Sequence, residues 1–192
     1  HDFFYPYPQS PLLASTENTI NFTLPNESIA TPTVNVPAVQ SAAQYPYSER
    51  SNSLELPAIS IAAPIIIARS TEIKALERDL DKGVVYYPGS VLPGQSGQMI
   101  VLGHSAPPGW PHIKYDWVFS KINSLNFGDE IVLHFNNKQY TYKVRAKNII
   151  QKGQEIGLNG LDSKDNILTL VSCWPPGKDA QRIVVQAQLI AQ

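Results

Sequence analysis

Three side chains in this chain of 192 residues are of the types that acyl transfer requires, and each stands at the edge of an apolar run. Cys173, the only cysteine, follows Ile167-Leu168-Thr169-Leu170-Val171-Ser172 and precedes the turn sequence Trp174-Pro175-Pro176-Gly177. His104 ends the run Met99-Ile100-Val101-Leu102-Gly103, and Arg182 opens Arg182-Ile183-Val184-Val185. Only a thiolate is a good nucleophile, and an unperturbed thiol, with a pKa of about 8.5, is mostly protonated at neutral pH. A cationic neighbour is therefore needed. Imidazolium at His104 would favour the thiolate and then protonate a leaving amine as general acid. Arg182 follows Cys173 by nine residues, a spacing that suits the facing ends of two adjacent strands. Its guanidinium stays charged and offers a fork of donors to an oxyanion or a substrate carbonyl.

Each residue alone also has a plain structural reading. A cysteine among strand residues is commonly a small buried hydrophobe, a histidine after glycine a turn residue, and an arginine at a strand start a solvated edge charge. The joint placement at strand ends beside turn residues is what suggests one site.

The elements that would position these groups are mostly strands. From about Leu56 onward, short apolar runs recur at regular spacing, divided by Pro, Gly and Asn, the pattern of a barrel or sandwich. Strands are predicted near 58–62, 64–68, 84–87, 98–104, 130–136, 139–150, 166–173 and 182–190. In Tyr140-Thr141-Tyr142-Lys143-Val144-Arg145-Ala146 the apolar and polar side chains alternate faces, and Asn136-Asn137 before it tolerate the left-handed backbone of a hairpin turn. A helix is predicted over 71–81, with Ser70 or Thr71 as cap, Ile73, Leu76 and Leu80 on one face, and Gly83 just beyond. A second helical turn is predicted over 114–123, with Trp117, Ile122 and Phe119 packing inward. About eight strands suffice to close a small barrel.

The first 50 residues differ in texture. They hold seven prolines, many Ser, Thr and Asn, and a single basic residue, Arg50, against four acids, which is the composition of an extended linker or stalk. The expected organisation is an extension over 1–55 and one β domain over 56–192. The aromatic start Phe3-Phe4-Tyr5-Pro6-Tyr7 resists that reading and suggests docking or a membrane interface. With 43% hydrophobic residues and a net charge of −1, the chain has no basic excess for nucleic acid. One cysteine excludes an intrachain disulfide and leaves the redox compartment open. No stretch approaches the roughly 18 apolar residues of a membrane span. Because the chain starts at His1, the expectation is a trimmed or processed form from which a membrane tether has been lost.

These residues resemble a known family, the sortases. Thr169-Leu170-Val171-Ser172-Cys173 resembles the TLxTC signature, Gly103-His104-Ser105 the histidine element, and Arg182 holds the position of the family's arginine. Gly83-Val84-Val85-Tyr86-Tyr87-Pro88-Gly89 with Pro93-Gly94-Gln95-Ser96-Gly97-Gln98 looks like the approach to that histidine, and Phe127-Gly128-Asp129-Glu130-Ile131 resembles the entry to a middle strand. The resemblance covers about residues 56–192. It implies a mainly β fold, a closed eight-stranded barrel with one or two short helices, and a cysteine transpeptidase. Cys173 would attack a carbonyl in an LPxTG-like sorting signal, His104 would carry the proton, and Arg182 would bind substrate or oxyanion. The partners implied are proteins bearing a C-terminal sorting signal and an amine acceptor, either a peptidoglycan precursor or a pilin lysine. The location implied is the outer face of a bacterial cytoplasmic membrane. Ser172 stands where the signature has Thr, which bears on substrate fit. Thr169 would shape the groove floor, and Trp174 either walls the groove or covers the barrel end. The connection 151–165, with Gly153, Gly157 and Gly160, would recognise the substrate.

Other residues carry less. His112 and His134 have no metal-like spacing, and His134 is expected to face solvent. Asp129 and Glu130 point to opposite faces of a strand rather than forming a catalytic pair. The sequence calls for no metal and no cofactor. Competing readings are an L,D-transpeptidase, which expects a Ser-x-Gly-Cys-x-Arg element, and a papain-like protease, which expects an early cysteine on a helix; neither pattern is present. The alternative of a different class is a surface-attached binding barrel with an unreactive cysteine. Leu24-Pro25-Asn26-Glu27-Ser28, faintly like a sorting signal, or the aromatic start could also act as a lid.

Overall fold

A computed structural model of the chain describes residues 45–190. The aromatic start and the Leu24-Pro25-Asn26-Glu27-Ser28 segment lie outside the described residues. Eight strands form a closed barrel: β1 (Ser53–Leu56), β2 (Ile61–Ile67), β3 (Val84–Tyr86), β4 (Gly97–Leu102), β5 (Glu130–Phe135), β6 (Lys138–Gln151), β7 (Asn166–Trp174) and β8 (Gln181–Leu189). Around the barrel they run β1-β2-β3-β4-β7-β8-β6-β5, and β5 pairs back onto β1. Closure leaves no free sheet edge. The expected mainly β, eight-stranded barrel is what forms.

The period of two sorts the strands into an inner and an outer face. Leu168 and Leu170 of β7, Ile183, Val185 and Ala187 of β8, and Met99 and Val101 of β4 join one buried cluster with Leu54, Leu133 and Tyr142. Their odd or even neighbours, including Thr169, Val171 and Cys173, therefore point outward. The Asn136-Asn137 hairpin adopts the anticipated positive φ values of 48° and 59°.

Helix α1 (Ile73–Leu80) is the crossover between β2 and β3, which pair in parallel and so need such a connection. Its N-cap is Glu72, with no side-chain cap; Ser70 instead accepts the Glu72 N–H at 3.1 Å. The region predicted as strands 58–62 and 64–68 divides differently. Pro57–Ile59 form a 3-10 turn ended by Ser60 in the left-handed region, so β2 is continuous across Pro64 and its antiparallel partner is the earlier β1. The helix predicted over 114–123 is a series of turns with a short 3-10 helix at Ile122–Ser124. Phe119 and Ile122 are nonetheless buried, while Trp117 stacks on His112 at 4.3 Å.

His134 departs from expectation. It lies on the outer face of β5 but is 4% exposed, because residues 46–48 run over it: Gln139 N–H donates to Pro46 O, and Ser48 N–H to Asn137 O. Ser48 Oγ lies 2.8 Å from His134 Nδ1, and Glu55 Oε1 lies 3.2 Å from Nε2. Burial first, and then the nearby Arg50 charge, push its pKa below the usual 6.5. No described helix is long and apolar enough to cross a membrane.

Candidate active site

The ends of β4, β7 and β8 lie side by side in the barrel wall. Parallel β4 and β7 pair from Gly97↔Asn166 to Leu102↔Val171, and antiparallel β7 and β8 pair Cys173 directly with Arg182. The nine-residue spacing thus becomes a cross-strand pair on one face, where side chains are nearest neighbours. His104 lies just beyond the end of β4. Its segment is tied to β7 by three hydrogen bonds: Gly103 N–H to Val171 O at 3.1 Å, Ser172 Oγ–H to Gly103 O at 2.7 Å, and Ser105 Oγ–H to Cys173 O at 2.8 Å.

Two glycines allow this approach. At Gly103 an added Cβ would stand 2.3 Å from the Phe119 ring, and the Phe119 N–H donates to His104 O at 2.9 Å. Phe119 therefore braces the histidine segment from behind. Gly177, at φ 79°, donates its N–H to Ser105 O at 2.9 Å, and a Cβ there would strike Pro107. The β7/β8 turn is thereby anchored against the same segment. The Trp174–Pro175 peptide at its start is cis.

Cys173, His104 and Arg182 all line one groove of about 370 Å³. Leu102 and Val171 form its floor, Ile73, Leu76 and Leu80 of α1 one wall, and Lys152 and Asp179 its polar rim. The thiol is half-buried, within reach of solvent. Burial pushes its pKa up, the Arg182 charge pulls it down, Asp179 pushes it up by charge and hydrogen bond, and Lys152 pulls it down. Asp179 Oδ1 lies 2.6 Å from Arg182 Nη2, and its other oxygen is paired with Lys152. Hydrogen bonds from these two cations hold its carboxyl below the usual range. On the far side, the partly buried His104 places Nε2 3.7 Å from Oδ1 of the exposed Asp81. His104 also borders a second pocket of about 320 Å³, shared with Asp81, Asp116 and Trp110.

The sequence-predicted residues thus separate. Ser172 lies at the groove, with its hydroxyl committed to Gly103. Trp174 does not line the groove; alternation turns it inward, where it packs against the barrel core. Thr169 shares the outward face of Cys173 but is fully buried, and its Oγ1 has no hydrogen-bond partner among the described residues. It does not line the groove. Its ladder partner Gln186 explains the burial: Gln186 Nε2–H donates to Gly157 O at 2.9 Å, and Asn159 Nδ2–H to Gln186 Oε1 at 2.6 Å. The 151–165 connection is pinned to β8 there. Sequence reasoning missed Asp179, Lys152 and Gln186. Only Asp179 carried a signal, an acid three residues before an arginine.

A sortase-domain family profile matches residues 54–190. Sortase D of Bacillus subtilis is 28% identical over 127 residues, covering 66% of this chain and 56% of that protein; the matching region is thus little more than half of the relative's length. Among solved structures, sortase C-1 from Actinomyces oris superposes with a TM-score of 0.60 at 22% identity, covering 73% of this chain and 74% of the other. Sortase A from Corynebacterium diphtheriae does so with a TM-score of 0.59 at 22% identity, covering 78% and 63%.

Proposed function

The chain belongs to the sortase family, and on that premise we propose that it is a cysteine transpeptidase that cleaves an LPxTG-like sorting signal and passes the acyl group to an amine. The observation that carries this reading is the groove that Cys173, His104 and Arg182 share, with Cys173 and Arg182 paired across the ladder.

In the first half-reaction the Cys173 thiolate adds to the scissile carbonyl, and the electron pair moves onto oxygen. Arg182 stabilises that oxyanion with its charged donors. Collapse breaks the C–N bond as His104 delivers a proton to the leaving amine, leaving a thioester on Cys173. In the second half-reaction an amine adds to the thioester, His104 takes its proton, and the thiolate leaves. Water in place of the amine gives hydrolysis as a side reaction. The apolar wall of α1 with Leu102 and Val171 suits the Leu-Pro part of the signal. Ser172 and Trp174 support the groove from behind, through the Ser172–Gly103 bond and packing on the barrel core, while Thr169 lies farther along the outward face of β7, beside the segment that Gln186 holds. The second pocket beside His104, with Asp81 and Asp116, offers an incoming ammonium a route to the imidazole from the side opposite the peptide.

The substrates are surface proteins with a C-terminal sorting signal, and the acceptor is a peptidoglycan precursor or a pilin lysine. The work is done outside the cytoplasmic membrane of a bacterium. The test is incubation with a small library of LPxTG-like peptides and amine acceptors, read by mass. A transpeptidation product that requires Cys173 is expected. No product together with a thiol inert to alkylation would favour the binding barrel instead.

A further inference from the structure

The β7/β8 turn carries a carboxylate into the space between the thiol and the guanidinium. Asp179 Oδ1 is 3.8 Å from Cys173 Sγ and 2.6 Å from Arg182 Nη2. The same oxygen therefore touches both groups that, in the reading above, must face the substrate carbonyl. Arg182 Nη1 is also occupied, donating to Gln181 O at 2.9 Å. Each terminal nitrogen thus has one N–H engaged before any substrate arrives, and Oδ1 stands within reach of both Sγ and Nη2, where an oxyanion formed on Cys173 would seek its donor. Two negative oxygens cannot share that position.

We propose that Asp179 is a positioning residue that acts as a latch: its carboxylate occupies the oxyanion position in the resting site, and the arriving peptide displaces it from Arg182 toward Lys152. The inference rests on the transpeptidase reading of the groove. The movement is small. Gly177 is anchored on Ser105 and packed against Pro107, so the first half of the turn is fixed. Beyond it, the Asp179 side chain is 56% exposed and Lys152 57%, so a rotation of the carboxylate suffices. Lys152 already holds the second carboxylate oxygen and receives the charge when Arg182 is released. An anion beside a thiol also opposes thiolate formation, so the latched site is the less reactive one.

The experiment compares the full chain with Asp179→Asn, Asp179→Glu and Lys152→Gln. It measures the pH profile of Cys173 alkylation by iodoacetamide, and KM and kcat for an LPxTG-like peptide. Asp179→Asn removes the charge at nearly constant shape; its alkylation midpoint is expected to fall by roughly one pH unit, with KM falling more than kcat changes. Asp179→Glu is expected to restore the wild-type midpoint, and Lys152→Gln to raise it. An unchanged or raised midpoint in Asp179→Asn would overturn the latch, as would a lowered midpoint with KM unaltered, which would make Asp179 a neighbour rather than an occupant. Alkylation needs no peptide, so this result stands apart from the reading of function. Absence of peptide product from wild type and all variants would count against the transpeptidase instead.

Discussion

Cys173 and Arg182 are direct partners in the β7/β8 ladder, so their proximity is set by backbone register rather than by the reach of a flexible side chain. A slip of one residue would turn every β8 side chain to the other face and take the guanidinium out of the groove. The register is held by the inward set Ile183, Val185 and Ala187, all buried. Core packing and site assembly are therefore one constraint.

Arg182→Lys tests whether charge alone suffices. Lysine keeps the charge but loses the planar fork, so kcat is expected to fall by roughly 10²–10³ while folding stability changes little. Steady-state kinetics with a fluorogenic sorting peptide, alongside thermal unfolding, would separate the two effects. Activity equal to wild type would remove Arg182 from the oxyanion role.

The thiol should titrate high. Burial leads the causes that push Cys173 up, so alkylation of the wild type is expected to keep rising with pH beyond the ordinary thiol value of about 8.5. The rate of iodoacetamide labelling between pH 6 and 10 measures this directly. A plateau already reached at pH 7 would contradict the arrangement.

The bonds that bring the histidine segment to β7 should matter for stability and for geometry together. Ser172→Ala leaves Gly103 O without its 2.7 Å donor and is expected to cost about 1 kcal/mol. Gly103→Ala drives a methyl into Phe119 and is expected to cost about 1–3 kcal/mol, with a larger loss of kcat than Ser172→Ala because His104 moves with Phe119. Urea denaturation and peptide cleavage on the same samples check both.

His134 predicts a pH-dependent stability remote from the site. Its folded pKa is lowered below the unfolded 6.5, so below that pH the unfolded chain binds more protons. The contribution is full above pH 6.5 and is lost as pH falls through the folded value. Urea midpoints between pH 8 and 5 should decline more steeply for wild type than for His134→Gln, and parallel curves would refute the assignment.

Much of this arrangement was legible in the sequence because the barrel strands are long and bounded by turn residues. The runs near 98–104, 130–136, 139–150, 166–173 and 182–190 all became strands, and Cys173 and Arg182 pair as their nine-residue spacing suggested, with His104 lining the same groove. What was hidden depended on contacts distant in the chain. The four-residue β1 lies in a stretch of linker composition, and its partner β2 contains Pro64, a residue that reads as a break in a strand, so local pattern could not pair them. His134 alternates outward as expected, yet residues 46–48 cover it, and no periodicity announces a strap. Trp174 follows from the period of two once Cys173 is known to face out. Thr169 is buried because Gln186 draws the 157–159 segment over it, a long-range tie that neither residue type foretells.

The most direct measurement is peptide mapping of the protein after brief incubation with an LPxTG-like peptide and no amine, with amine added afterwards. The account predicts an acyl mass on the fragment that contains Cys173, which disappears as amide product when the amine is supplied. Peptide left intact with Cys173 unmodified, or an adduct on any other residue, would contradict it.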